Sequence, residues 1–148
     1  MTGYFNDEKR TQQTILESNG IRWYRTGDKG KIDEDGYLTI VDRYSRFAKI
    51  GGEMISLGAV EETILQIIDD KDIEVVAVAL PDIKKGEKIV LISTGNLSLS
   101  TLKQKLIDGK LSPLMLPANY IEAGTIPKLG TGKNDFNQAK KLAFDMIG

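Results

Sequence analysis

The chain has 148 residues, 41% of them hydrophobic and 28% charged, and its 20 Lys and Arg against 21 Asp and Glu leave a formal net charge of -1. That composition suits a globular protein with a core and lacks the basic excess of a nucleic-acid binder. Cys and His are both absent, which excludes disulfides, thiolate or imidazole metal sites, Cys nucleophiles and His-based triads, and leaves chemistry to Lys, Asp, Glu, Tyr and backbone amides.

In chain order, Met1-Thr2-Gly3-Tyr4-Phe5-Asn6 reads like a turn within a domain, so the chain is expected to be a piece of a larger protein. Residues 7–16 predict a short helix, stopped by Ser18-Asn19-Gly20. Three apolar-rich runs, 21–26, 30–32 and 37–41, are separated by turn sequences and predict small antiparallel strands. The polar run Asp42-Arg43-Tyr44-Ser45-Arg46 then interrupts two strand-like stretches. It sets the expected boundary between residues 1–43, the end of one domain, and residues 44–148, a second and complete one.

Past that boundary, residues 47–50 predict a strand that stops at Gly51-Gly52, and over 58–68 the residues Val60, Ile64, Ile67 and Ile68 mark one buried helix face. Strands are predicted over 73–80 and 88–93, the first apolar enough to be central in its sheet. A helix over 100–107 places Leu102 and Leu106 one turn apart, and a strand follows at 120–123. The last helix, over 135–147, carries Phe136, Ala139, Ala143 and Met146 on one side. The order from residue 47 is β-α-β-β-α-β-α, an α+β domain with helices packed on a small mixed sheet. The longest apolar run, Val75 to Leu80, is too short to span a bilayer, and the start of the chain lacks the order of a signal peptide. A cytoplasmic location with no membrane contact by this segment is the expectation.

Four segments could carry chemistry, and each has two readings. In Tyr24-Arg25-Thr26-Gly27-Asp28, the Asp28 carboxylate could accept hydrogen bonds from the vicinal hydroxyls of a ribose, or could merely cap a turn. Arg43 could fork onto a phosphate or hydroxyl oxygen, or stand solvated after a strand. In Lys49-Ile50-Gly51-Gly52-Glu53-Met54-Ile55 the glycine pair admits a closely approaching ligand, or forms a hairpin turn. In Pro127-Lys128-Leu129-Gly130-Thr131-Gly132-Lys133-Asn134 a glycine-rich loop ends in a lysine, suited to phosphate or to plain solvent. The Walker spacing is absent from it.

Taken together, Thr2-Gly3-Tyr4-Phe5-Asn6, Tyr24 to Asp28, the block from Arg43 to Glu61 and Pro127 to Lys133 resemble, in order and spacing, the closing motifs of the adenylate-forming superfamily of acyl-CoA synthetases, luciferases and peptide-synthetase adenylation domains. The wording from Asp42 to Glu61 resembles most the acyl-acyl carrier protein synthetase part of bacterial bifunctional 2-acylglycerophosphoethanolamine acyltransferases. The resemblance implies a small mobile C-terminal domain behind a β-rich remnant of a large N-terminal adenylating domain. It implies two half-reactions, in which a fatty acid and ATP give acyl-adenylate and a phosphopantetheine thiol then takes the acyl group. By matching position, Lys133 is the catalytic lysine, Asp28 and Arg43 bind the nucleotide, Ser45 is the hinge, and Lys49, Gly51 and Gly52 line the pantetheine path. ATP and Mg2+ would serve the full-length enzyme, with the metal ligands outside this chain. The implied partners are the large domain, a fatty acid, and acyl carrier protein or coenzyme A, at the cytoplasmic face of the bacterial inner membrane.

Three positions depart from the family pattern. Ser45 stands where a hinge Asp or Lys is usual, and Asp42 where a glycine commonly precedes the arginine. Met54 replaces a basic residue frequent in relatives that use coenzyme A, which favours a carrier-protein acceptor. Two alternatives stand beside this reading: a fatty acyl-CoA ligase of the same superfamily, and a non-catalytic module that docks an acidic carrier through Arg46, Lys49, Lys84, Lys85 and Lys88.

Overall fold

The computed structural model describes residues 1–108 and 112–148. The chain divides into two compact units, Met1–Ser45 and Arg46–Gly148.

The first unit consists of a short helix and two hairpin ladders. Helix α1 (Glu8–Thr14) is capped by Asp7, whose carboxylate accepts the Arg10 N–H at 2.9 Å. Strand β1 (Ile15–Ser18) pairs antiparallel with β2 (Ile21–Tyr24), and β3 (Asp28–Ile32) with β4 (Leu38–Arg43). The helix stops short of the expected Leu16. Ile15 and Leu16 stand opposite Tyr24 and Trp23 instead, and these branched–aromatic cross-strand pairs outweigh local helix propensity. No residue from 1 to 45 is buried, and Trp23, Ile32, Tyr37, Leu38 and Ile40 are all exposed.

The second unit holds the core. Its elements are β5 (Phe47–Ile50), β6 (Glu53–Ser56), α2 (Leu57–Ile68), β7 (Val75–Asp82), β8 (Gly86–Ser93), α3 (Leu99–Asp108), β9 (Asn119–Glu122) and α4 (Phe136–Ile147). Strand β6 is missing from the expected element order, because four residues after a glycine pair carry no readable period; the hairpin-turn reading of Gly51-Gly52 is the one that accommodates it. Its register with β5, Phe47 opposite Ser56 and Ile50 opposite Glu53, supplies what local pattern does not. Ser56 ends the strand and caps α2, its hydroxyl accepting the Ala59 N–H at 3.1 Å.

The strands form one five-stranded sheet in the order β6-β5-β8-β7, with β9 parallel to β8. Strand β8 meets β5 only at Ile50–Gly86 and β9 along Val90–Ser93, so both share its outer edge. The run from Val75 to Leu80 is buried throughout, as a strand covered on both faces must be. Val75, Ala77, Ala79, Ile89 and Leu91 pack with Leu57, Val60 and Ile64 of α2 and Leu102 of α3. Val76, Val78, Leu80, Val90 and Ile92 pack on the opposite face with Ile121, Ile126 and the α4 residues Ala139 and Ala143. The expected face of α4 is corrected at its ends: Phe136 and Met146 are exposed, and Leu142 and Ile147 lie against the core. The Leu106 side chain lies outside the described residues.

Arg46 explains where the units divide. It is 6% exposed, donates to the Ala77 carbonyl at 2.9 Å, pairs with Glu61 at 2.5 Å and lies 3.8 Å over the Phe136 ring. Glu61 also accepts the Ala77 N–H at 2.7 Å. One side chain thus binds the start of the unit to α2, β7 and α4, and the division falls after Ser45 rather than after Arg43. Arg46 is thereby removed from the exposed basic face that the docking alternative requires. No helix among the described residues is long and apolar enough to cross a membrane.

Candidate active site

In the first unit, Asp28 and Arg43 stand opposite each other in the β3–β4 ladder. That register brings the Arg43 Nε within 3.1 Å of the Asp28 Oδ1. The Asp28 side chain is 27% exposed against 69% for Arg43, so the carboxylate keeps an open side. The turn before it is held without that carboxylate: the Asp28 N–H donates to Thr26 Oγ1 at 3.1 Å, and Gly27 at φ 81° accepts the Tyr44 N–H at 2.9 Å. Asp28 is therefore an ion-paired acceptor and not a turn cap, and it can receive hydroxyl donors.

Ser45 is exposed. The Tyr44 N–H is bonded back to the first unit at Gly27, and the Arg46 guanidinium is buried in the second. Ser45 is the residue between these two attachments.

Gly51 and Gly52 form the loop between β5 and β6, with φ of 59° and 91°. Positive φ at both central residues is what a two-residue hairpin turn matching the strand twist requires, and glycine meets it without strain. Neither glycine has a heavy atom within 4 Å of where a Cβ would stand, so the turn presents bare backbone to solvent. Its surroundings fix it. The Gly51 N–H donates to the Lys85 carbonyl at 2.8 Å, and the Lys49 N–H to Glu87 at 2.5 Å. The neighbouring Asp82 turn is tied by the Lys85 and Lys84 amides, which hold the Asp82 carboxyl below the usual carboxylate range. The Lys49 side chain is exposed.

Lys133 projects from a closed loop between β9 and α4. Lys128 and Asn134 bridge antiparallel. The Leu129 N–H donates to the Lys133 carbonyl, the Gly132 N–H to the Leu129 carbonyl and the Asp135 N–H to the Pro127 carbonyl, each at 2.8 Å. Gly132 turns at φ 82°. The Lys133 side chain is exposed and makes no hydrogen bond or ion pair to any described residue. The loop is therefore ordered while its ammonium is available. Lys128, beside it, pairs with Glu74 and donates to Asn134 Oδ1 at 2.7 Å. Sequence reasoning gave Lys128 and Glu74 no role, because partners 54 residues apart carry no local signal.

The structure thus brings Asp28 to Arg43, and Lys49 to the glycine pair, but keeps Lys133 apart from the glycine pair. Glu74, which holds the Lys133 loop, precedes the first residue of β7, whereas the Gly51 turn is bonded at the opposite end of the β7–β8 ladder. The 8 residues of β7 span roughly 26 Å at about 3.3 Å per residue. Among the described residues, no group of three or more carboxylates converges to hold a metal ion.

No family model matches the chain. Over 146 residues, 95% of this chain, it is 34% identical to the anguibactin system regulator of Vibrio anguillarum, covering 14% of that protein. Over 133 residues, 88% of this chain, it is 33% identical to the long-chain-fatty-acid–CoA ligase FadD13 of Mycobacterium tuberculosis, covering 25% of it. The o-succinylbenzoate CoA synthetase of Bacillus subtilis, solved with its acyl-adenylate intermediate, superposes with a TM-score of 0.76 at 28% identity, over 95% of this chain and 28% of that one. Over nearly its whole length the chain is similar to the C-terminal domain of enzymes of the adenylate-forming superfamily. Its α+β architecture is the one that domain has in the solved relatives, and its relatives in this superfamily are ligases that adenylate carboxylic acids. The chain spans about a seventh to a quarter of the length of the curated relatives named here.

Proposed function

We propose that this chain is the mobile end of an ATP-dependent fatty acid ligase that makes acyl-adenylate and passes the acyl group to the phosphopantetheine thiol of acyl carrier protein, in reacylation of 2-acylglycerophosphoethanolamine at the cytoplasmic face of the inner membrane. The observation that carries the reading is that the Lys133 loop and the Gly51-Gly52 turn are tied to opposite ends of one ladder. A rigid body with two functional ends this far apart serves one reacting centre only by being repositioned, and Ser45 lies where that movement would be taken up.

In the first half-reaction a carboxylate oxygen attacks the α-phosphorus of ATP and pyrophosphate leaves. Negative charge crowds at that centre, and the Lys133 ammonium stabilises it. Asp28 accepts the ribose hydroxyls while Arg43 holds its carboxylate in place. In the second half-reaction the thiol sulfur, its proton lost, attacks the acyl carbonyl and AMP leaves. The bare backbone of Gly51-Gly52 then borders the arm that carries the thiol. Magnesium, when bound, offsets the charge of the ATP phosphates. Its ligands, the phosphate-binding loop and the acyl pocket belong to the large adenylating domain, the chain's first partner.

A fatty acyl-CoA ligase is the second reading, favoured by the similarity to FadD13. The exposed Met54 favours the carrier, since a basic residue there would suit the phosphates of coenzyme A. The experiment is to assay the intact enzyme for fatty-acid-dependent pyrophosphate exchange, then for acyl transfer to holo-carrier protein and to coenzyme A at equal concentrations. Exchange with faster acylation of the carrier is expected. Exchange with faster acylation of coenzyme A assigns the second reading, and no exchange with any fatty acid contradicts both.

A further inference from the structure

We infer that Lys128 is a positioning residue for Lys133, a role resting on the proposed action of Lys133 in acyl-adenylate formation. The loop from 128 to 134 is closed by its own backbone bonds, but those bonds fix only its internal shape. Its direction in space depends on what ties it to the rest of the unit. At its base Ile126 is buried against the sheet, and beyond it Asp135 caps α4, accepting the Asn137 and Gln138 N–H groups at 3.1 Å. These anchors flank the loop and leave it free to tilt about the line between them. Lys128 removes that freedom. Its ammonium holds Asn134 Oδ1 across the loop and the Glu74 carboxylate outside it.

Glu74 is itself fixed to the central ladder, its N–H donating to Thr94 Oγ1 at 2.9 Å and its carbonyl accepting the Thr94 N–H at 3.0 Å. The chain of contacts therefore runs from the β7–β8 ladder through Glu74 and Lys128 to the residue next to Lys133. The Lys128 and Glu74 side chains are 39% and 50% exposed, and an ion pair that open adds little to stability. Its effect is geometric: Lys133 is presented on a braced loop, and a misplacement of about 1 Å in a reacting group can cost about a hundredfold in rate.

The test compares Lys128→Met, Lys128→Arg and Lys133→Ala in the intact enzyme, with acyl-adenylate formation and transfer from supplied acyl-adenylate measured separately. Lys128→Met is expected to lower kcat of adenylation about tenfold, a part of the full misplacement penalty, with the KM for ATP, the transfer step and the thermal midpoint unchanged. Lys128→Arg keeps both contacts and restores most of the rate. In the chain itself, amide exchange at Leu129 and Gly132 should quicken in Lys128→Met. Wild-type adenylation by Lys128→Met beside a crippled Lys133→Ala overturns the positioning role and leaves the Lys133 reading standing. Normal adenylation by Lys133→Ala overturns that reading and this inference with it.

Discussion

At the scale of single residues, the glycine pair shows what backbone geometry alone demands of a side chain. Gly51 and Gly52 sit at φ 59° and 91° with open space around both, so the cost of substitution there is conformational and not steric. Gly51 lies in the left-handed region that Asn tolerates, and Gly52 lies beyond it. Gly51→Asn should fold nearly as well as the native chain, whereas Gly51→Ala should lose about 1 kcal/mol, a typical left-handed penalty. Urea unfolding of the two variants checks this, and equal midpoints would contradict it. Asp28 shows the converse case. Its sequence context suits a turn cap as well as an acceptor, and only the ladder register that sets it against Arg43 decides between them. Lys128 was beyond the reach of sequence reading altogether, since its partner Glu74 becomes a neighbour only when the sheet has formed.

At the scale of elements, what was legible in the sequence is what carries a period or a long apolar run. Helix α2 and strands β7 and β8 lie close to where their patterns put them. Strand β6 and the early end of α1 were not legible, since both are decided by cross-strand partners. The buried Arg46 belongs to the same class. In a polar run it reads as surface, yet it joins α2, β7 and α4 through Glu61, Ala77 and Phe136. Removing one member of a buried pair leaves the other unpaired and typically costs about 3–5 kcal/mol. Arg46→Ala should therefore destabilise the second unit by about that amount, while Lys49→Ala, three residues on and exposed, should change stability by less than about 0.5 kcal/mol. Chemical denaturation of both variants measures the difference. Comparable small losses would show that Arg46 does not hold the unit together.

At the scale of the whole molecule, the two units differ in kind. The second buries both faces of its sheet; the first, from 1 to 45, buries no residue and exposes large apolar side chains on its strands. We propose that these strands belong to a larger adenylating domain, as the resemblance implies. The proposed division of labour gives the nucleotide contacts to Asp28 and Arg43 in one unit and the two working ends to the other, where the Lys133 loop and the Gly51-Gly52 turn are tied to opposite ends of the β7–β8 ladder. The central claim is that these two ends serve different half-reactions. It is tested most directly by measuring acyl-adenylate formation and acyl transfer from supplied acyl-adenylate separately in the intact enzyme carrying Lys133→Ala or Gly52→Leu. Lys133→Ala should slow adenylation by about a hundred- to a thousandfold, the usual cost of losing one charge-stabilising donor, and spare transfer, while Gly52→Leu should do the reverse. Near-normal adenylation by Lys133→Ala, or equal loss of both steps in either variant, would contradict the account.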